Sequence, residues 1–124
     1  MEELPLVSII TIVYNGEKFI EKCIQSVLDQ SYPNIEYIVI DGGSSDHTVD
    51  IIERYTASIK HWISEKDKGI SDAFNKGLKR ATGEIVGMIN ADDWYEPNTV
   101  EKIVQEIDDF DIVYGDLRLW KNDA

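Results

Sequence analysis

Glu84-Ile85-Val86-Gly87-Met88-Ile89-Asn90-Ala91-Asp92-Asp93 is an apolar run of strand length that ends in two adjacent carboxylates. A short apolar run bounded by turn residues reads as a buried strand, which puts Asp92 and Asp93 at its tip. Such a tip suits a hard cation, because magnesium and manganese take oxygen ligands and are commonly held by one or two carboxylates plus substrate phosphates. The same pair also suits a turn, or the start of a helix introduced by Pro97, since Asp is favoured at both places.

The rest of the chain narrows the choice. At 124 residues it is sized for one domain spanning 1–124, with enough length for a real core. Its 43% hydrophobic and 29% charged content is that of a chain that folds. The net charge of -12, from 12 Lys plus Arg against 24 Asp plus Glu, argues against nucleic acid, whose binding rests on cationic contacts to phosphate. Anionic membrane surfaces are disfavoured for the same reason. A phosphate-bearing ligand would need a cation or aimed backbone N–H groups to offset this acidity, which again favours a divalent metal, Mn or Mg, at Asp92 and Asp93. Cys23 is the single cysteine. It permits no internal disulfide, fits a small core residue within an apolar helical pattern, and suits a reducing compartment. The acidic Met1-Glu2-Glu3-Leu4-Pro5 start is unlike a signal peptide, and no apolar stretch is long enough to insert in a bilayer. The expectation is a cytoplasmic chain.

Apolar runs alternate with helical periodicity. Val7 to Val13 reads as strand one, and Phe19, Ile20, Cys23, Ile24, Val27 and Leu28 recur at the spacing of one helix face. Ile35 to Ile40 reads as strand two, ended by Asp41-Gly42-Gly43-Ser44-Ser45-Asp46, where the glycines permit a tight turn and Ser45 or Asp46 can cap a helix through Ile51, Ile52 and Tyr55. A short third strand lies near Ile59 to Ser64. The pattern predicts a helix over 70–81 that stops at a Thr82-Gly83 C-cap. Pro97 opens a helix with Val100, Ile103, Val104 and Ile107 on one face, and Asp111 to Gly115 reads as strand five.

Strands separated by helices predict an α/β domain with a mostly parallel sheet and helices on both faces. In such sheets ligands bind outside the carboxyl ends of the strands, near the point where strand order reverses. The informative polar residues sit at those ends: Thr11, Tyr14 and Asn15 after strand one, Asp41 after strand two, Asp67 after strand three, and Asp92 with Asp93 after strand four. One pocket could gather them.

Four blocks carry a resemblance. Val7-Ser8-Ile9-Ile10-Thr11-Ile12-Val13-Tyr14-Asn15 with Gly16, then Asp41-Gly42-Gly43-Ser44-Ser45-Asp46-His47-Thr48, then Glu65-Lys66-Asp67-Lys68-Gly69-Ile70-Ser71-Asp72-Ala73-Phe74-Asn75-Lys76-Gly77, then Asn90-Ala91-Asp92-Asp93 are similar, in content and order, to the signatures of family 2 glycosyltransferases of the GT-A (Rossmann-like) fold. The resemblance runs from Pro5 to Asp116 and covers only the nucleotide-sugar half of a typical member. The acceptor-binding half is absent, so the chain reads as truncated.

The resemblance implies an inverting transfer of a sugar from a nucleoside diphosphate, UDP for preference, to a hydroxyl of a saccharide or lipid-linked acceptor. Asp41, an acceptor when ionised, could take the imide N–H of uracil; a turn residue is the plainer reading. By resemblance Thr11, Tyr14 and Asn15 line the nucleoside pocket, Asp67 helps hold the nucleoside, Asn75 and Lys76 lie near the pyrophosphate, Asp93 coordinates the metal, and Asp92 contacts the ribose or shares the ion. Gly77, mid-helix, costs about 1 kcal/mol against Ala unless packing or a ligand needs it. The general base belongs to the missing half in this family, which places it beyond Ala124, and Asp116 is a guess for it. Residues beyond Ala124 are also expected to set the donor sugar and the acceptor. The resemblance allows a complete enzyme to associate with membranes through such parts, and exposed edges to promote self-association. Three other readings compete: a nucleotide-sugar-binding fragment without turnover, a receiver-type signalling domain, and a nucleotidyltransferase. A receiver needs an acidic pair after strand one, where Tyr14-Asn15 stands. A nucleotidyltransferase needs a Gly-rich basic loop there, for which Asn15-Gly16-Glu17-Lys18 is a poor substitute.

Overall fold

A computed structural model describes residues 4–106, 112–114 and 117–121. Six strands form one sheet: β1 Val7–Val13, β2 Ile35–Asp41, β3 His61–Ser64, β4 Ile85–Asn90, β5 Ile112–Tyr114 and β6 Leu117–Lys121. Their spatial order is β3-β2-β1-β4-β6-β5. The β1–β2, β2–β3 and β1–β4 pairs are parallel, while β6 runs antiparallel to both β4 and β5. The order 3-2-1-4 differs from the receiver-type order 2-1-3-4-5, and that alternative falls.

The helices are α1 Ile20–Leu28, α2 Thr48–Arg54, α3 Ile70–Leu78 and α4 Thr99–Glu106. The chain walks outward from β1 to β3 and then returns past β2 and β1 to β4. Right-handed crossovers therefore put α1 and α2 on one face and α3 on the other, as the two cores show. Val7, Ile9 and Val13 of β1 pack with Ile20, Ile24, Ile52, Val100 and Ile103, whereas Ile10 and Ile12 pack with Ile38, Ile40 and Ala73. All seven β1 residues are buried, and full burial of each Val or Ile side chain contributes roughly 1.5–3 kcal/mol. Helices thus cover both faces of a mostly parallel sheet.

Gly77 is explained by packing. A Cβ there would stand 2.5 Å from Ile10 Cγ2, in a core where Ile10 is fully buried. Gly77→Ala is expected to lower stability by about 1–3 kcal/mol despite its helix propensity; a raised urea midpoint would refute the packing role.

Several boundaries depart from the sequence pattern. α3 ends at Leu78, three residues early, because the bonding tightens to Arg80 N–H onto the Gly77 carbonyl at 3.0 Å. Gly83 is not a left-handed cap, since the positive-φ glycines among the described residues are Gly43 and Gly69. It allows close approach to β1: a Cβ would lie 2.7 Å from the Leu6 carbonyl and 2.7 Å from Ser8 Oγ. Asp46 sits one residue before the N-cap of α2 and accepts from Thr48 N at 2.9 Å, while Ser45 makes no cap. The expected third strand starts at His61, after a 3-10 turn Thr56–Ser58. Pro97 stands in a turn two residues ahead of α4. Strand five is described over Ile112–Tyr114, and β6, with its alternating Leu117-Arg118-Leu119-Trp120, is an element the sequence pattern does not announce. Ile107, Asp111, Gly115, Asp116 and Ala124 lie outside the described residues, and so do the expectations placed at Asp116 and beyond Ala124. No helix among the described residues is long and apolar enough to cross a membrane.

At the amino end of the sheet, Glu36 Oε1 accepts from Ser8 Oγ at 2.8 Å and Thr82 N at 2.9 Å, and Oε2 accepts from Thr82 Oγ1 at 2.8 Å. Burial pushes this carboxyl up, but the bonds from Thr82 and Ser8 outweigh it and hold the pKa below the ordinary 4.5. A depressed folded pKa contributes stability above the unfolded value that is lost as pH falls through the folded one. Glu36→Gln should therefore flatten the loss of stability below pH 4.5; an unchanged acid limb in urea melts across pH would contradict this.

Candidate functional site

The carboxyl ends of β1, β2, β3 and β4 meet at one edge of the sheet, beside the reversal of strand order at β1. β1 continues into Tyr14 and Asn15. Asn15 takes φ 49, a left-handed conformation that Asn tolerates better than most residues. Its Oδ1 accepts from Ser45 N at 2.9 Å, and its own N–H donates to Ser44 Oγ at 2.8 Å. Asn15 thus joins the β1 exit to the loop after β2 and lines neither groove described below. Tyr14, 66% exposed, faces the mouth.

Asp41 is fully buried. Its Oδ2 accepts from Gly43 N at 3.1 Å, Ser44 N at 2.9 Å and Ser64 Oγ at 2.7 Å, and Oδ1 accepts from Ser44 Oγ at 2.6 Å. Four donors occupy the carboxylate's acceptor capacity. The expected base contact by Asp41 is therefore corrected: Asp41 shapes the Gly42-Gly43 loop and ties it to β3.

Asp67, half-buried, takes the position over that loop. A Cβ on Gly42 would lie 2.7 Å from Asp67 Oδ2, so glycine makes room for the carboxylate. Gly43, at φ 84, would bring a Cβ within 3.2 Å of Lys66 N. Asp67 Oδ1 accepts from Gly69 N at 3.1 Å. Tyr14, Gly42, Gly43, Lys66 and Asp67 line a groove of about 350 Å³. Tyr14 and Asp67 also border a second groove of about 270 Å³, which reaches Ile70 and Asn90. The structure thus brings together Tyr14 and Asp67, and adds Gly42, Gly43 and Asn90, whose place in the motifs alone assigns them no ligand contact.

Three residues expected at the ligand, Thr11, Lys76 and Asn75, line neither of these two grooves. Thr11 is fully buried inside β1 on the α1 side, with Oγ1 2.7 Å from Tyr37 Oη, because β1 runs two residues past it. Lys76 donates to the Lys66 carbonyl at 3.1 Å and pairs with Glu65 at 3.2 Å; it braces the segment carrying Asp67 and is committed away from a pyrophosphate. Asn75 is exposed on α3 and lines neither groove.

Asp92 and Asp93 follow β4 in a tight turn, with Asp93 N–H donating to the Asn90 carbonyl at 3.0 Å. Asp92 is exposed and Asp93 half-buried. Asp93 lines a separate groove of about 460 Å³ toward α4, with Trp94, Tyr95 and Lys102, and neither it nor Asp92 lines the two grooves of the mouth. Their donor chemistry, two carboxylates at an open tip, fits a hard divalent cation. Among the described residues no group of three or more His, Cys, Asp or Glu could hold a metal ion, so such a cation would complete its shell with phosphate and water oxygens. Beneath the tip lies Cys23, whose thiol burial pushes up to about 11 against the lowering effect of the neighbouring Thr11 and Tyr37 hydroxyls; it is protonated at neutral pH. The Tyr95 hydroxyl is buried without a hydrogen-bond partner among the described residues.

The chain is 36% identical over 109 residues to a putative glycosyltransferase, EpsH, of Bacillus subtilis (strain 168), covering 86% of this chain and 32% of that one. Among solved structures, S. aureus TarS in complex with UDP-GlcNAc superposes with a TM-score of 0.73 at 28% identity, over 81% of this chain and 30% of that one. A mannosyltransferase from Pyrobaculum calidifontis, PcManGT, in complex with GDP-Man and Mn2+, shares the fold at a TM-score of 0.79 and 23% identity, over 94% of this chain and 44% of that one. The chain therefore spans less than half the length of each. These likenesses bear out the GT-A architecture. A family model for glycosyl transferase family 2 matches residues 8–123, a span that includes every strand tip of the mouth, and the chain belongs to that family.

Proposed function

We propose that this chain forms the donor-binding part of an inverting glycosyltransferase, which takes a nucleoside diphosphate sugar and serves transfer to a hydroxyl of a saccharide or lipid-linked acceptor. The observation that carries the reading is the mouth itself: Tyr14, the Gly42-Gly43 floor and Asp67 border adjoining grooves at the strand-order reversal, with Asp92 and Asp93 at its β4 side. The UDP-GlcNAc complex of TarS supports a nucleotide sugar as the ligand class.

Asp67 replaces Asp41 as the group that reads the base. With Oδ1 engaged by Gly69 N–H, Oδ2 offers one acceptor beside Gly42. A single acceptor matches the one imide N–H of uracil better than the two-donor edge of guanine, and it opposes the acceptor nitrogen of cytosine. Tyr14 presents a ring against which the base can lie. A manganese or magnesium ion held by Asp93, with Asp92 sharing it or meeting the ribose, would supply charge to offset the diphosphate as it leaves. Inversion requires in-line attack by the acceptor oxygen on the anomeric carbon, with a general base within about 3 Å of that oxygen. None of the residues assigned to the mouth fills that role, and Asp116 is outside the described residues. The base is therefore assigned, as the family resemblance implies, to a part of the enzyme beyond Ala124.

The test is thermal stability with UDP, GDP and CDP, each with and without manganese. Ligand at about 100 times its dissociation constant adds roughly 2.7 kcal/mol. The expected result is a manganese-dependent rise, largest with UDP. Equal rises with all three would remove base reading by Asp67, and no rise in a folded sample would refute the donor site. Metal-dependent binding of UDP-GlcNAc without release of the sugar would favour the fragment that binds without turnover.

A further inference from the structure

We propose that Tyr37, Thr11 and Cys23 form a buried hydrogen-bond relay that pins the turn carrying Asp92 and Asp93, and so act as positioning residues for those carboxylates. The relay's functional consequence rests on the donor-site reading above; its geometry does not. Tyr37 Oη lies 2.7 Å from Thr11 Oγ1, Thr11 Oγ1 lies 3.6 Å from Cys23 Sγ, and Cys23 Sγ donates to the Asn90 carbonyl at 3.7 Å. The chain of contacts crosses from β2 through β1 and α1 to the last residue of β4. All three side chains are at most 2% exposed.

The polarity follows from the carbonyl end. Asn90 O can only accept, so the single thiol proton points at it. The sulfur is then left as an acceptor for the Thr11 hydroxyl, and Thr11 oxygen accepts from Tyr37. Each group uses its one proton. The same Asn90 carbonyl accepts from Asp93 N–H at 3.0 Å, so it is held from the core side by Cys23 and from the tip side by the aspartate turn. Ala91 N–H, bonded to the Ile12 carbonyl at 3.2 Å, fixes the intervening residue.

Core packing alone does not account for Thr11. It stands among Val7, Ile9 and Val13 on the α1 face, where a valine would fill the same space without a hydroxyl to satisfy. A buried hydroxyl is costly unless bonded, and here its bonds lead to the turn.

The test compares Thr11→Val, which keeps shape and loses the hydroxyl, with Thr11→Ser, which keeps the hydroxyl. Amide hydrogen exchange at Asp93 reads the turn directly, with Ile10 as the core reference. Thr11→Val should speed exchange at Asp93 by about fivefold, the equivalent of one ordinary hydrogen bond, while Ile10 stays protected and Thr11→Ser matches the parent. Manganese-dependent UDP affinity should fall severalfold in Thr11→Val, with affinity for uridine, which carries no phosphate, unchanged. If Thr11→Val fails to fold, Tyr37→Phe is expected to give a smaller shift in the same direction. Equal Asp93 exchange in parent and variant overturns the relay. Faster Asp93 exchange in the variant of a parent whose UDP binding ignores manganese supports the relay and overturns the donor reading alone.

Discussion

Asp93→Asn is expected to abolish the manganese dependence of UDP binding while leaving the melting temperature of the free protein unchanged. Removal of a group that only orients a metal ligand already costs about 10–100-fold in metal affinity, and loss of the ligand's charge costs at least as much. The amide keeps the size of the side chain in the half-buried site beside the Asn90 turn, so the packing is preserved. Isothermal titration with UDP, with and without manganese, reads both quantities. Retention of the parent's manganese effect would take the metal role from Asp93. The charge balance makes the expected loss large: the chain carries a net charge of -12, and Asp67, Asp92 and Asp93 add carboxylates at the strand tips that a bound diphosphate would face without the cation.

The second large effect separates two aspartates that read alike in sequence. Asp41→Ala removes a fully buried carboxylate and with it the part-buried hydrogen bonds from Gly43, Ser44 and Ser64. A hydrogen bond to a charged group is worth about 1.5–3 kcal/mol and less where water can replace it, so over these four bonds a loss of roughly 3 kcal/mol and a fall in melting temperature on the order of 10 °C are expected. Binding of every nucleotide should weaken together as the loop loosens. Asp67→Ala should do the reverse, sparing stability and weakening UDP by about tenfold, the worth of one hydrogen bond to a charged group, with CDP little affected. Calorimetric melts and competition binding separate the cases. A stable Asp41→Ala protein that loses only UDP would restore Asp41 as the base reader.

The elements that follow one clear period were legible in the sequence. The β-branched run of β1, the α1 stripe of Ile20, Cys23, Ile24 and Val27, and the apolar run of β4 were each strong enough to place without neighbours. Their alternation sufficed for a parallel sheet and for a ligand edge at the strand tips. What the sequence withheld was direction and occupancy. Val7 to Val13 reads as strand one in the sequence and is β1 in the structure, so Thr11 lies inside the strand; the sequence did not show that its hydroxyl turns into the core against Tyr37. Asp41 and Asp67 are both carboxylates after strands, and only the packing of the 65–69 segment on Gly42 shows which is spent on the loop and which is offered to the mouth. Lys76 is chemically suited to a phosphate, but the approach of Glu65 and the Lys66 carbonyl, set by tertiary contact, commits it elsewhere. Gly83 resembles a helix cap in sequence and is instead a site of close strand approach. β6 escapes a reading by period because its alternation is short and its partner β4 lies more than two dozen residues upstream, a separation that local periodicity does not register.

The most direct measurement is an NMR titration of the chain with manganese and UDP, following amide broadening and shifts residue by residue. The account predicts paramagnetic broadening centred on Asn90 to Asp93, with shifts at Tyr14, Gly42, Gly43 and Asp67. Broadening centred on Glu17, Asp46 and Asp50, with the strand-tip amides undisturbed, would contradict it.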